Sequence, residues 1–105
     1  MSRVLTDDGI VVSQAGSPFY EIATIKNLAR MLKPIFAVSD AYLFTNLTYP
    51  GGLWAFTYAS KGIRPVEDFR PARVAAARLP LRWYNAEIHA GSFALPQFLK
   101  KALAR

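Results

Sequence analysis

Cysteine is absent from this chain of 105 residues, histidine occurs once, and 7 Asp and Glu stand against 13 Lys and Arg. Without cysteine neither a disulfide frame nor a thiolate metal site is possible, and a reducing compartment such as the cytoplasm is the natural reading. The lone histidine, His89, has no ligand set or catalytic partner in view, since zinc needs several ligands and nucleophilic catalysis needs an oriented Ser or Cys. It reads as a structural residue. Neither a G-x-G-x-x-G nor a G-x-x-x-x-G-K-S/T spacing occurs, so the sequence carries no nucleotide fingerprint. No stretch approaches the roughly 20 apolar residues that cross a bilayer, and the first residues lack the apolar run of a signal peptide. A soluble, cytoplasmic protein with no membrane partner is expected.

What is present suffices for a core. With 52% hydrophobic and 13% aromatic residues the chain fits one small folded domain. The net charge of +6 is unevenly placed: residues 1–52 carry four Lys/Arg and four Asp/Glu, residues 53–105 nine and three. The basic second half is read either as a solvated face or as a surface for an anionic partner, RNA or an acidic subunit. No RNA-binding signature such as an RNP-type strand accompanies it, which disfavours nucleic acid.

The chain shows no repeat and no low-complexity tract. Asp7-Asp8-Gly9 reads as a turn, and the β-branched run Ile10-Val11-Val12 that follows suits a strand covered on both faces, as in a parallel sheet. Gln14 then falls at the carboxyl end of that strand, where open α/β sheets bind ligands. Ser17-Pro18 is read as a cap and first-turn proline, with Ile22, Ile25, Leu28 and Leu32 at helical spacing until Lys33-Pro34. Strands are predicted at about 38–46 and 53–60, antiparallel because their connection is short. In the second of these Trp54, Phe56 and Tyr58 face one side and Ala55, Thr57 and Ala59 the other, the small side admitting a helix. A helix over about 66–78, with a break near Pro71, and a last helix opening at Pro96 and burying Phe98, Leu99, Ala102 and Leu103 complete the reading.

The Tyr49-Pro50-Gly51-Gly52 turn stands out between the two strands: proline fixes one backbone angle and the glycines free the next two, so the main chain can approach another group closely. Leu47-Thr48-Tyr49-Pro50-Gly51-Gly52, the aromatic strand ending in Ala59-Ser60, then Tyr84-Asn85, His89 and Phe93-Ala94-Leu95-Pro96 together resemble the C-terminal part of spermidine synthase, the polyamine aminopropyltransferase family. The likeness reaches back to Arg3 through Pro18 and so covers the chain. It implies an α/β architecture, the C-terminal half of a Rossmann-like methyltransferase fold, with about three strands, an antiparallel final pair and flanking helices. Residues 1–105 are then a single C-terminal part-domain. The family's glycine-rich loop, ribose-binding acid and Asp-Ser-Ser-Asp type segment with the proton-accepting aspartate fall upstream of these residues.

The resemblance further implies transfer of an aminopropyl group from decarboxylated S-adenosylmethionine, a co-substrate, to putrescine, with no metal and no cofactor. Its site residues here are Gln14, Tyr49 and Trp54, all substrate-binding, and no catalytic residue is expected within the chain. Gln14 can donate and accept toward an amine, or equally serve as a loop glutamine bonding local backbone. Tyr49 offers a phenol oxygen that orients an attacking amine, and otherwise stiffens the turn. Trp54 offers an apolar wall for a polyamine's methylenes, and otherwise is core. The substrates are cations, so the carboxylates that hold them must come from elsewhere. The expected partners are a complementary N-terminal chain and the polyamine, in a hetero- or homo-oligomer. The other reading of the chain is a non-enzymatic accessory half-domain that uses its basic half to bind a partner or RNA.

Overall fold

The computed structural model describes residues 5–48 and 52–103. Three strands, β1 (Ile10–Gly16), β2 (Val38–Thr45) and β3 (Leu53–Ser60), and four helices, α1 (Ile22–Leu32), α2 (Pro71–Ala77), α3 (Ala86–Ser92) and α4 (Gln97–Ala102), alternate in the order β1, α1, β2, β3, α2, α3, α4. The sheet order is β1-β3-β2, so the last strand in sequence is the middle one in space. Both of its partners run antiparallel to it, Ile10 facing Ser60 on one side and Val38 facing Ser60 on the other. The α/β class and the antiparallel final pair are as expected.

The expectation of a doubly covered, parallel strand at Ile10-Val11-Val12 does not hold within this chain. β1 pairs with β3 alone among the described strands and forms one edge of the sheet, and both Ile10 and Val12 remain 47% exposed. The continuous apolar run belongs to a strand whose second face and second edge find no cover in these residues.

Side-chain alternation divides the sheet into two unlike faces. On one, Ala15, Ala41 and Ala55 are buried, and their small size lets Ile25 of α1, Leu95 and Leu99 of α4 close over them. Ile22, Leu28, Leu43 and Leu103 rim this cluster. On the other face aromatic rings lie across the strands: Tyr42 and Phe44 stack on Phe56 with centroids 5.4 and 4.9 Å apart, and Phe93 meets Tyr42 at 5.1 Å and Tyr58 edge-on at 5.9 Å. Offset and edge-on pairs of this kind stabilise beyond the area they bury, by about 1 kcal/mol each. Burial pushes the phenols of Tyr42 and Tyr58 up, keeping both protonated; in Tyr58 the hydrogen bond with Ser60 works against this shift, and the charges of Asp68 and Asp40 add to it.

Three helix boundaries differ from the sequence reading. Ser17 does not cap a helix; its hydroxyl accepts from the N–H groups of Phe19 and Tyr20 in a preceding turn, and α1 starts only at Ile22. Pro71 opens α2 as its first residue, so the break expected there is the helix start, and residues 65–68 form a turn ahead of it. α3 escaped the reading altogether, though Asn85 is its cap: the Asn85 side chain accepts from the Ile88 N–H at 2.7 Å. Pro96 caps α4 rather than serving as its first residue, and the helix buries Leu99 as expected, whereas Phe98 points outward and stacks on Phe19 at 5.4 Å.

His89 of α3 has the structural place assigned to it. It packs flat on Phe69, 3.7 Å between centroids at 3°, while Nε2 lies 2.8 Å from the Pro65 carbonyl and Nδ1 2.8 Å from the Tyr84 hydroxyl. The carbonyl can only accept, so Nε2 carries the proton and the neutral ring accepts from Tyr84 at Nδ1. Tyr84 thus bonds an imidazole. Arg64 and Asp68 brace the same segment with a salt bridge of 3.0 Å, and the Arg64 guanidinium holds the Asp68 carboxyl below the usual range.

Candidate functional site

The register places the carboxyl ends of β1 and β2 and the start of β3 at one end of the sheet: Gly16 faces Ala55 and Thr45 faces Leu53. Gln14, opposite Phe56, sits at this end with an exposed side chain. Between Gln14 and Gly16 the pairing slips by a residue, a bulge that bends the strand end and lets Gly16 adopt φ +99°. Trp54, the second residue of β3 and opposite Phe44, is buried at the same end.

Tyr49, the third of the expected substrate residues, lies outside the described residues together with Pro50 and Gly51. The flanks of their loop are joined: the Asn46 N–H donates to the Gly52 carbonyl at 2.9 Å, and the Asn46 side chain accepts from the Thr48 N–H at 2.9 Å. Gly52 has φ +71°, a conformation that favours glycine, so one of the two glycines is required by the backbone. Asn46, Thr48 and Gly52 therefore lie at the same end as Gln14 and Trp54, beside Thr45 and Leu53.

Two concavities adjoin this end. A small one of about 460 Å³ is walled by Ser17, Tyr20, Glu21 and Trp54. Glu21 was not among the sequence candidates, because an acidic residue at the start of a helix reads as helix chemistry. A wide groove of about 1570 Å³ runs over the aromatic face, from Ile10 and Val12 to Thr45, with Arg70, Arg73 and Trp83 along its far wall. Trp83 is 61% exposed there. Of the basic residues in this groove Arg64 is engaged by Asp68, which absorbs part of the positive charge noted in the second half.

The arrangement can present a neutral amide, one carboxylate and an indole wall to a ligand at the strand ends. It contains no group placed as a nucleophile with an oriented base, and among the described residues no three His, Asp or Glu gather as a metal site. No helix among the described residues is long and apolar enough to cross a membrane.

A three-stranded sheet of order β1-β3-β2 with an antiparallel final pair, helices flanking it and its polar residues at the strand ends is part of a Rossmann-like methyltransferase fold. Residues 1–69 match the spermine/spermidine synthase domain. The polyamine aminopropyltransferase of Thermotoga maritima is 42% identical over 99 residues, 94% of this chain and 33% of that protein. The polyamine aminopropyltransferase of Clostridioides difficile is 41% identical over 103 residues, 96% of this chain and 36% of that protein. In solved structures, spermidine synthase from Thermotoga maritima superposes with a TM-score of 0.90 at 42% identity, over 95% of this chain and 36% of that one. A spermidine synthase in complex with the transition-state analogue AdoDATO also superposes with a TM-score of 0.90, over 95% of this chain and 34% of that one. The chain belongs to the spermine/spermidine synthase family, and it spans about a third of the length of these relatives.

Proposed function

We propose that this chain forms the acceptor side of a spermidine synthase site, catalytic once completed by a part that carries the glycine-rich loop and the proton-accepting aspartate. The observation that supports this reading most is a sheet, with Gln14 and Trp54 at one end, that superposes on spermidine synthase with a TM-score of 0.90. In the reaction one amine nitrogen of putrescine, in its neutral form, attacks the aminopropyl carbon bound to sulfur. The N–C bond forms as the C–S bond breaks, methylthioadenosine leaves, and the surplus proton of the new ammonium passes to the aspartate of the completing part.

Each residue of this chain acts on the acceptor. Gln14 holds the amine through its amide without adding charge, Tyr49 accepts one N–H so that the lone pair points at the carbon, and Trp54 walls the methylenes. Positive charge moves from sulfur to nitrogen throughout, so fixed carboxylates stabilise the path. Decarboxylated S-adenosylmethionine is a co-substrate and no further cofactor takes part. The assembly is an oligomer of this chain with its complement, acting in the cytoplasm.

The test is co-purification. A companion bearing the glycine-rich loop and an Asp-Ser-Ser-Asp type segment should be recovered with this chain, and the pair should form spermidine from putrescine. Gln14→Ala and Tyr49→Phe should each lower kcat/KM for putrescine by about 10- to 100-fold, the weight of one orienting hydrogen bond at a reacting centre. Unchanged rates in both variants would remove the site assignment. Turnover by this chain alone would remove the need for a complement.

A further inference from the structure

The small concavity at the strand ends has one charged wall. Glu21 lines it with Ser17, Tyr20 and Trp54, and no described Lys or Arg borders it. Although Glu21 occupies the cap position of α1, its side chain makes no cap hydrogen bond, so the helix end does not absorb the carboxylate. No described cation pairs with it, the sole described salt bridge being Arg64–Asp68. Its one contact is with the Ser17 N–H, which donates to Oε2 at a long 3.3 Å. The Ser17 hydroxyl is already committed to Phe19 and Tyr20.

Gly16 makes room for this arrangement. A Cβ at position 16 would collide with Glu21 Oε2, and the φ of +99° there disfavours any side chain. The bulge after Gln14 thus sets Gly16, at the end of β1, against the Glu21 carboxylate. In a chain of net charge +6 this is an acidic group set against an aromatic wall, a combination that binds alkylammonium ions through a charge-assisted hydrogen bond and cation–π contact.

We propose that Glu21, with Tyr20 and Trp54, is a subsite for a primary alkylammonium group: the end of the diamine acceptor remote from the bond being made. The identity of the ligand rests on the aminopropyltransferase reading. The subsite makes Glu21 a specificity residue, which favours an acceptor with two amines over one with a single amine, and it supplies from within this chain a carboxylate for a cationic substrate.

The first test needs no catalysis. The isotopically labelled chain is titrated with 1,4-diaminobutane while the amide signals of Gly16, Ser17 and Glu21 and the indole signal of Trp54 are followed by NMR. These signals should move together on one saturable curve, and Glu21→Gln, an exposed substitution that disturbs no cap, should weaken binding about 10-fold, as loss of one charge-assisted hydrogen bond requires. Glu21→Asp should recover part of the affinity. Shifts absent in the native chain, or unaltered by Glu21→Gln, overturn the subsite. In the assembled enzyme Glu21→Gln should raise KM for 1,4-diaminobutane about 10-fold and lower the preference for it over 1-aminobutane by the same factor. A preference that stays intact overturns the specificity role. Failure of the pair to form spermidine at all would remove the aminopropyltransferase reading, while the titration would still decide whether Glu21 binds an alkylammonium.

Discussion

The two faces of the sheet solve the same problem with opposite materials. On the alanine face the strands contribute little volume and the helices much, so Ile25 and Leu99 descend to the sheet and are completely buried. On the aromatic face the strands themselves carry the bulk, and the covering segment of residues 61–93 touches them through Phe93 and through the Ile63 carbonyl, which accepts from Tyr58 and Ser60. The first face is closed by elements of this chain. The second is closed only over β2 and part of β3, and toward β1 it opens into a groove with Ile10 and Val12 on its floor. Apolar side chains left half in water on an edge strand mark where a polypeptide of complementary shape belongs.

Four experiments would break or sharpen this contrast. Leu99→Ala should be the most damaging, costing about 3 kcal/mol of stability, because a fully buried leucine over alanines leaves a cavity that its neighbours cannot fill. A urea titration followed by circular dichroism measures it. His89→Ala should cost about 2 kcal/mol by removing the Pro65 and Tyr84 hydrogen bonds and the stack on Phe69. Hydrogen exchange should then quicken in residues 61–70 and leave α1 as it was. A global loss of protection would mean that the aromatic face is as integral as the alanine face.

The paired change Ile10→Thr and Val12→Thr should leave the chain's own stability within about 0.5 kcal/mol, since both residues are half in solvent. It should weaken association with the completing part about 10-fold through the apolar area withheld from the interface. Equal binding, measured by calorimetry, would place that interface elsewhere. The smallest effect belongs to Asp68. Its carboxyl is held low by Arg64, so the stabilisation it lends is complete above the ordinary carboxylate pKa of about 4 and is lost as pH falls through the lower folded value. Asp68→Asn should flatten the acid limb of the stability profile below about pH 4, and only slightly, because the pair is exposed.

Much of this was legible in the sequence where local pattern and tertiary outcome agree. The strand at 53–60 and its antiparallel partner follow from alternation around a short turn, and Leu99 follows from its place in a helix opened by Pro96. Gln14 and Trp54 could be placed at one sheet end because each stands at a strand terminus. β1 misled, because three β-branched residues in a row state only that both faces want cover, and the described residues do not supply it. α3 was overlooked since Ala86-Glu87-Ile88-His89-Ala90-Gly91-Ser92 has no apolar stripe, and its single signal is the Asn85 cap. Glu21 could not be found from spacing at all. Its position depends on a missing Cβ at Gly16, five residues away, which becomes visible only once the bulge is built.

The strand order bears also on how the molecule comes into being. Since β3 lies between the other two, no ladder involving β1 can form until residues 53–60 have been made, and the first bond of that ladder joins positions as far apart as Ile10 and Ser60. During synthesis β1 is therefore a strand in waiting, with both edges open, while β2 and β3 can zip as a local hairpin at once. The completing part proposed above, if present when Ser60 emerges, would meet β1 at its most receptive, so the timing of translation, as well as surface complementarity, would bear on how cleanly the two assemble.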